Sequence, residues 1–205
     1  MNHTEMEYIH KVIYINLNRR TDRRKDIEQE FSTMGITAER FPAIEREPGC
    51  IGCSLSHLAI LKRAKAEGWP NYMVFEDDFM FLVDEDTFTN ELRTFFTANI
   101  PYDAVMLSYN CEKSEPFNNT VSYARNACTT SGFIVHERFY DALIANWTHA
   151  VEELTHTMIH WHWACDRSWK CLQETKEFFH FNTRLGKQRP GYSDLAGKYV
   201  DMGGV

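Results

Sequence analysis

The segment NYMVFEDDFMF, Asn71 to Phe81, sets three consecutive carboxylates, Glu76, Asp77 and Asp78, between two apolar runs. Three acids in a row arise by chance about once in every two chains of this composition, so the triplet carries no weight without its context. A second acidic triplet, Asp84 to Asp86, serves as a control. It precedes Phe88, Leu92 and Phe95 or Phe96 at helical spacing, which predicts a helix whose N-terminus those acids cap. The first triplet instead follows Tyr72–Phe75, a bulky run of strand type, and the C-terminal ends of strands are where open α/β sheets bind ligands.

Working outward, KVIYINL reads as a strand and the residues after it as a helix, with Ile27, Phe31 and Met34 on one side and Gly35 as its stop. ITAERFPAI reads as a second strand, which makes a βαβ start and predicts a mostly parallel, Rossmann-like sheet flanked by helices. SLSHLAILKRAKAEG predicts a helix with Ser54 as N-cap, closed by Gly68 and Pro70. Further on, YDAVMLS, SGFIVHE and KEFFHFN read as strands, the last of them the final one; RFYDALIANW reads as a helix, and CEKSEPFNNT (111–120) as loop.

The chain has 205 residues, 43% of them hydrophobic, enough for one core and a single domain over 1–205. A net charge of −7 argues against a nucleic-acid partner. No apolar stretch approaches the roughly 20 residues of a membrane span and MNHTEMEYIHK lacks a signal-peptide core, so the expectation is a soluble, cytoplasmic protein whose six cysteines are thiols.

Three carboxylates at one strand end cannot be buried bare; they need solvent, protonation or a cation. All-oxygen ligands favour Mg²⁺ or Mn²⁺, and such ions keep positions open for substrate phosphates. No glycine-rich phosphate loop is present, so arginines after the first strand, Arg19, Arg20, Arg23 and Arg24, are the candidates for phosphate recognition.

In order, VIYINLNRRTDRR, GCSLSHLAILKRA, YMVFEDDFMF, YDAVMLS and YSDLAG resemble glycosyltransferase family 25, which includes lipooligosaccharide sugar transferases and procollagen galactosyltransferases. That resemblance implies a GT-A fold and Mn²⁺-dependent, inverting transfer of a hexose from a UDP-sugar, galactose or glucose foremost, to a hydroxyl of a glycan, glycolipid or protein. It makes Glu76 and Asp78 the outer members of a DxD-like motif, with Asp78 the first metal ligand and Asp77 beside them. It also places Asn16, Leu17, Arg19, Arg20 and Arg24 on the nucleotide side, together with Ser56 and His57, which fall in the first turn of the helix as read above. Asp166, set among aromatics that would raise its pKa, is the base candidate and Asp194 the reserve; His180 is a further metal candidate. Trp161, Trp163 and Trp169 are possible platforms for a sugar ring.

Two other readings compete. A metal-dependent phosphoryl-transfer enzyme or hydrolase also sets acids at strand ends. A zinc-organised binding module would draw on the C-x-x-C of Cys50 and Cys53 with His160, His162 and Cys165.

Overall fold

The computed structural model describes residues 7–193 and 198–200. The chain opens with β1 (Val12–Asn16), α1 (Thr21–Thr33), β2 (Glu39–Pro42), α2 (Gly49–Glu67) and β3 (Asn71–Glu76). There follow β4 (Phe79–Phe81), α3 (Glu85–Thr97), β5 (Ala104–Met106), β6 (Asn110–Cys111), β7 (Ser114–Pro116), β8 (Val121–Ala124), β9 (Ala127–Cys128) and β10 (Gly132–His136). Next are α4 (Tyr140–Thr157), α5 (His160–Trp163), α6 (Cys165–Ser168), α7 (Lys170–Gln173), β11 (Phe178–Phe181), β12 (Gly186–Gln188), β13 (Gly191–Ser193) and β14 (Lys198–Val200).

Eight strands form one sheet in the order β2-β1-β3-β10-β5-β11-β8-β7. β1 runs parallel to both β2 and β3, and β11 parallel to β5. Only β10 and β8 run against the common direction, because each is antiparallel to both of its neighbours. The sheet is therefore mostly parallel and covered by helices, as the βαβ start predicts.

Alternation along the strands sorts the core into two layers. Tyr14, Met73 and Phe75 face Ile27 and Phe31 of α1 and Phe88, Leu92 and Phe95 of α3. Ile13, Ile15, Tyr72 and Val74 face the other way, onto Leu58 and Leu61 of α2 and Leu143 and Trp147 of α4. Asp84 caps α3 as expected, its side chain accepting from the Thr87 N–H at 2.9 Å. Gly68 ends α2 in the left-handed region at φ 68°, a conformation that suits glycine.

Three expectations need correction. α2 begins at Gly49 with Pro48 as its N-cap, so Ser54 is interior and Ser56 and His57 lie in the third turn rather than the first. The stretch read as loop contains β7, an exposed edge strand ending in Pro116, whose charged and polar residues leave no apolar period to detect. KEFFHFN supplies β11, but three short strands follow it outside the main sheet. Among the described residues no helix is long and apolar enough to cross a membrane, and all six cysteines are free.

Candidate active site

The same alternation aims the acidic triplet. Glu76 continues the face of Tyr72 and Val74 and so points toward α2, while Asn16 at the end of β1 shares the opposite face with Tyr14. His57, on α2 and almost wholly buried, has Nε2 2.9 Å from Glu76 Oε1. The Thr130 hydroxyl donates to the same oxygen at 2.7 Å. Burial pushes the Glu76 carboxyl up, but the hydrogen bond and charge of His57 and the Thr130 hydroxyl outweigh it and hold Glu76 below its ordinary value. His57 moves the opposite way: burial lowers it, yet its bond to Glu76 and the surrounding acids raise it overall.

Asp77 turns to the α1 side. It accepts from Asn16 Nδ2 at 2.8 Å and from Arg23 Nη1 at 3.0 Å. Asn16 is itself fixed, donating to the Arg20 carbonyl at 3.0 Å and accepting from Arg40 Nε at 3.1 Å. Burial leaves Asp77 above the ordinary aspartate value in spite of these partners.

Asp78 is the least satisfied of the three. Its Oδ2 lies 3.5 Å from both Arg23 Nη1 and Gln188 Nε2, at the limit of a hydrogen bond, and its buried Oδ1 has no partner. Burial, then the charge of Glu76, pushes its pKa up to about 7. A buried carboxylate oxygen with nothing to bind is what a cation would neutralise.

Beside the triplet is a cavity of about 140 Å³ whose lining includes Glu76, Thr129, Thr130, Cys165, Asp166 and Gln188. Asp78 connects to it through Gln188. Asp166 Oδ2 accepts from the Thr129 N–H at 3.2 Å and lies 3.8 Å from Arg167 Nε. Burial holds the Asp166 carboxyl above its usual range. Thr129 has φ 83°, an uncommon conformation for a β-branched residue, and its hydroxyl donates to Gln188 Oε1 at 3.0 Å. Such backbone strain concentrates where a site fixes its geometry.

The structure thus brings Glu76, Asp77, Asp78, His57, Asn16 and Asp166 into one neighbourhood. The other candidates are engaged elsewhere. Arg19 pairs with Glu45, Arg20 with Asp22 and Arg24 with Glu28; the Arg19 and Arg24 side chains are exposed and that of Arg20 is largely buried. Leu17 is half-buried, its carbonyl accepting from the Arg20 N–H. Ser56 is a structural bolt, donating to the Gly52 carbonyl at 2.7 Å and accepting from the Ile44 N–H at 2.8 Å. His180 is three strands from β3, and both its ring nitrogens are occupied, by Ser114 Oγ at 2.7 Å and the Phe181 carbonyl at 2.9 Å. It does not join the acids. Trp169 is a core residue stacked on Trp147, whereas Trp161 is 67% exposed. Asp194 lies outside the described residues. Sequence reasoning missed Thr130 and Gln188, which carry no motif and reach the triplet only through the fold.

Part of one sequence is similar to this chain: a protein of Acanthamoeba polyphaga mimivirus named "Putative glycosyltransferase R655" is 34% identical over 94 residues. In sequence, then, this chain resembles a glycosyltransferase. The match takes in 35% of this chain and 29% of the mimivirus protein's length. No family model matches the sequence. Among solved structures, mannose-1-phosphate geranyltransferase from Thermus thermophilus superposes with a TM-score of 0.45 at 10% identity, over 89% of this chain and 60% of that one. A glycosyltransferase involved in glycosylating the major capsid of PBCV-1 does so with a TM-score of 0.41 at 9% identity, over 91% and 95%.

Proposed function

We propose that the protein is a GT-A-type glycosyltransferase of the family 25 kind that moves a hexose from a UDP-sugar to a hydroxyl of a glycan, glycolipid or protein, with inversion. The observation that carries this reading is the proximity of Asp78, whose buried oxygen is unpartnered and whose Oδ2 lies 3.5 Å from Gln188 Nε2, to the cavity that Gln188 lines together with Asp166. The partial similarity to the mimivirus protein supports the same class.

The donor set fits a hard divalent cation, Mn²⁺ or Mg²⁺, at Asp78. Its free Oδ1 is an oxygen ligand in search of charge, whereas Glu76 is committed to His57 and Thr130, and Asp77 to Asn16 and Arg23. When bound, such a cation supplies Lewis-acid stabilisation of the departing diphosphate. Arg23, already between Asp77 and Asp78, adds a fixed positive charge at the same end of the sheet. Asp166 takes the proton from the acceptor hydroxyl; its raised pKa makes it a better base than an exposed aspartate. The Thr129 N–H holds one of its oxygens and so orients the other.

A panel of nucleotide sugars, scored by hydrolysis and by transfer to simple acceptors, tests the reading. Asp166→Asn should bind UDP as the parent does and lose turnover by about 100-fold or more, the range for removing a general base. Full turnover in that variant would remove Asp166 from the mechanism.

A further inference from the structure

A second cluster lies behind the acids. Cys53 from α2, His57 one turn along, and Cys165 at the start of α6 bring Sγ, a ring nitrogen and Sγ within 4.8 Å of one another. Among the described residues it is the one such group of three or more. Glu76 adjoins two of the three from outside that group, with Oε1 2.9 Å from His57 Nε2 and 3.8 Å from Cys53 Sγ. A tetrahedral zinc ion with bonds of about 2.3 Å to sulfur and about 2.1 Å to nitrogen or oxygen needs separations of roughly 3.4 Å between nitrogen and oxygen and roughly 3.6 Å between sulfur and oxygen. Both observed distances lie within about half an ångström of these.

We propose that Cys53, His57 and Cys165 form a site for Zn²⁺, with Glu76 as fourth ligand once the ion displaces the proton that His57 and Glu76 share. Two thiolates and an imidazole select a borderline-soft ion, in contrast to the hard carboxylate oxygen that Asp78 offers. A disulfide would use only the two sulfurs; an imidazole nitrogen within 4.8 Å of both is what a metal site adds. Cys53, Glu76 and Cys165 all line the cavity, which gives an ion its access. The surroundings are those of an outer shell: the Thr130 hydroxyl donates to Glu76 at 2.7 Å and lies 3.7 Å from Cys165 Sγ, and the Cys165 N–H is held by Ser54 Oγ at 3.2 Å. The consequence is positional. Asp166 follows Cys165 directly, so the ion ties the short α6 to α2 and fixes the proposed base on the sheet.

The full chain, purified without chelator, should carry about one zinc per molecule, and cobalt exchanged into it should show thiolate-to-cobalt charge-transfer absorption. Cys53→Ser and Cys165→Ser should each weaken metal binding by more than about 100-fold, beyond what loss of an outer-shell partner costs. Cys50→Ser and Cys128→Ser, which alter the same cavity outside the four ligands, should leave it unchanged. A chain without stoichiometric zinc, a cobalt spectrum lacking thiolate absorption in the unmutated protein, or a Cys53–Cys165 disulfide in freshly isolated material would each overturn the proposal. None of these readouts uses transferase activity, so a zinc-bound chain inactive on every sugar nucleotide would sink the proposed function and leave this site standing.

Discussion

Asp78 concentrates the electrostatic cost of the site in one side chain. Its carboxyl titrates at about 7 in the folded chain against 3.8 ordinarily, so between those values the folded state binds more protons than the unfolded one. Stability contributed by the protonated form is fully present below about 4 and is lost as pH rises through about 7, by at most about 4 kcal/mol. Urea unfolding in chelator at pH 5 and pH 7.5 should show that fall in the parent, and a shallower one in Asp78→Asn; identical slopes would mean that the unpartnered oxygen is not destabilising. Asp77, Asp166 and His57, all raised in the folded chain, act with the same sign, and His136 and His180, lowered by burial, act against it. At this scale the sequence pointed to the acids and, through the resemblance, to Asn16 and His57, which turn out to bond Asp77 and Glu76, but not to the remaining partners. Period-two alternation placed Glu76 at a strand's end, whereas Thr130, 54 positions away, has nothing local to mark it.

The element that sequence reading placed least well is α2. Pro48, Gly49 and Gly52 look like helix breakers, and their propensities favour a start at Ser54. Packing overrides them. A Cβ on Gly52 would sit 2.3 Å from the Ile44 carbonyl oxygen, so the glycine permits the close approach of the 43–46 loop, which Ser56 then pins through Ile44 N. Gly52→Ala should therefore cost about 1–3 kcal/mol, the range for overpacking, seen as a lower denaturation midpoint with an unchanged slope. A midpoint equal to the parent's would show that the loop yields freely. By the same steric logic Gly186→Ala, whose Cβ would fall 2.0 Å from Phe79 Cζ, should disturb the β4–β12 pairing beneath the triplet. The regular helices α1, α3 and α4 were legible because each keeps an apolar stripe; α5, α6 and α7, of four residues each, are too short to show one.

Across the whole molecule, three parallel strands β2, β1 and β3 end together and deliver Asn16 and the acidic triplet to one edge. The reversed strand β10 beside β3 then returns the chain from Thr129 and Thr130, the residues that orient Asp166 and hold Glu76. This crossing of a parallel unit by an antiparallel strand was not readable from periodicity, which reports a strand's faces but not its direction. The proposed function rests on Asp78 as the residue at that edge that would hold a cation and so favour binding of a nucleotide diphosphate. Calorimetric titration of UDP with and without Mn²⁺ tests it most directly. The parent should bind UDP at least about tenfold more tightly with the metal, an effect of about 1.4 kcal/mol, and Asp78→Ala should abolish that gain. UDP affinity indifferent to Mn²⁺, or a gain that survives in Asp78→Ala, would contradict it.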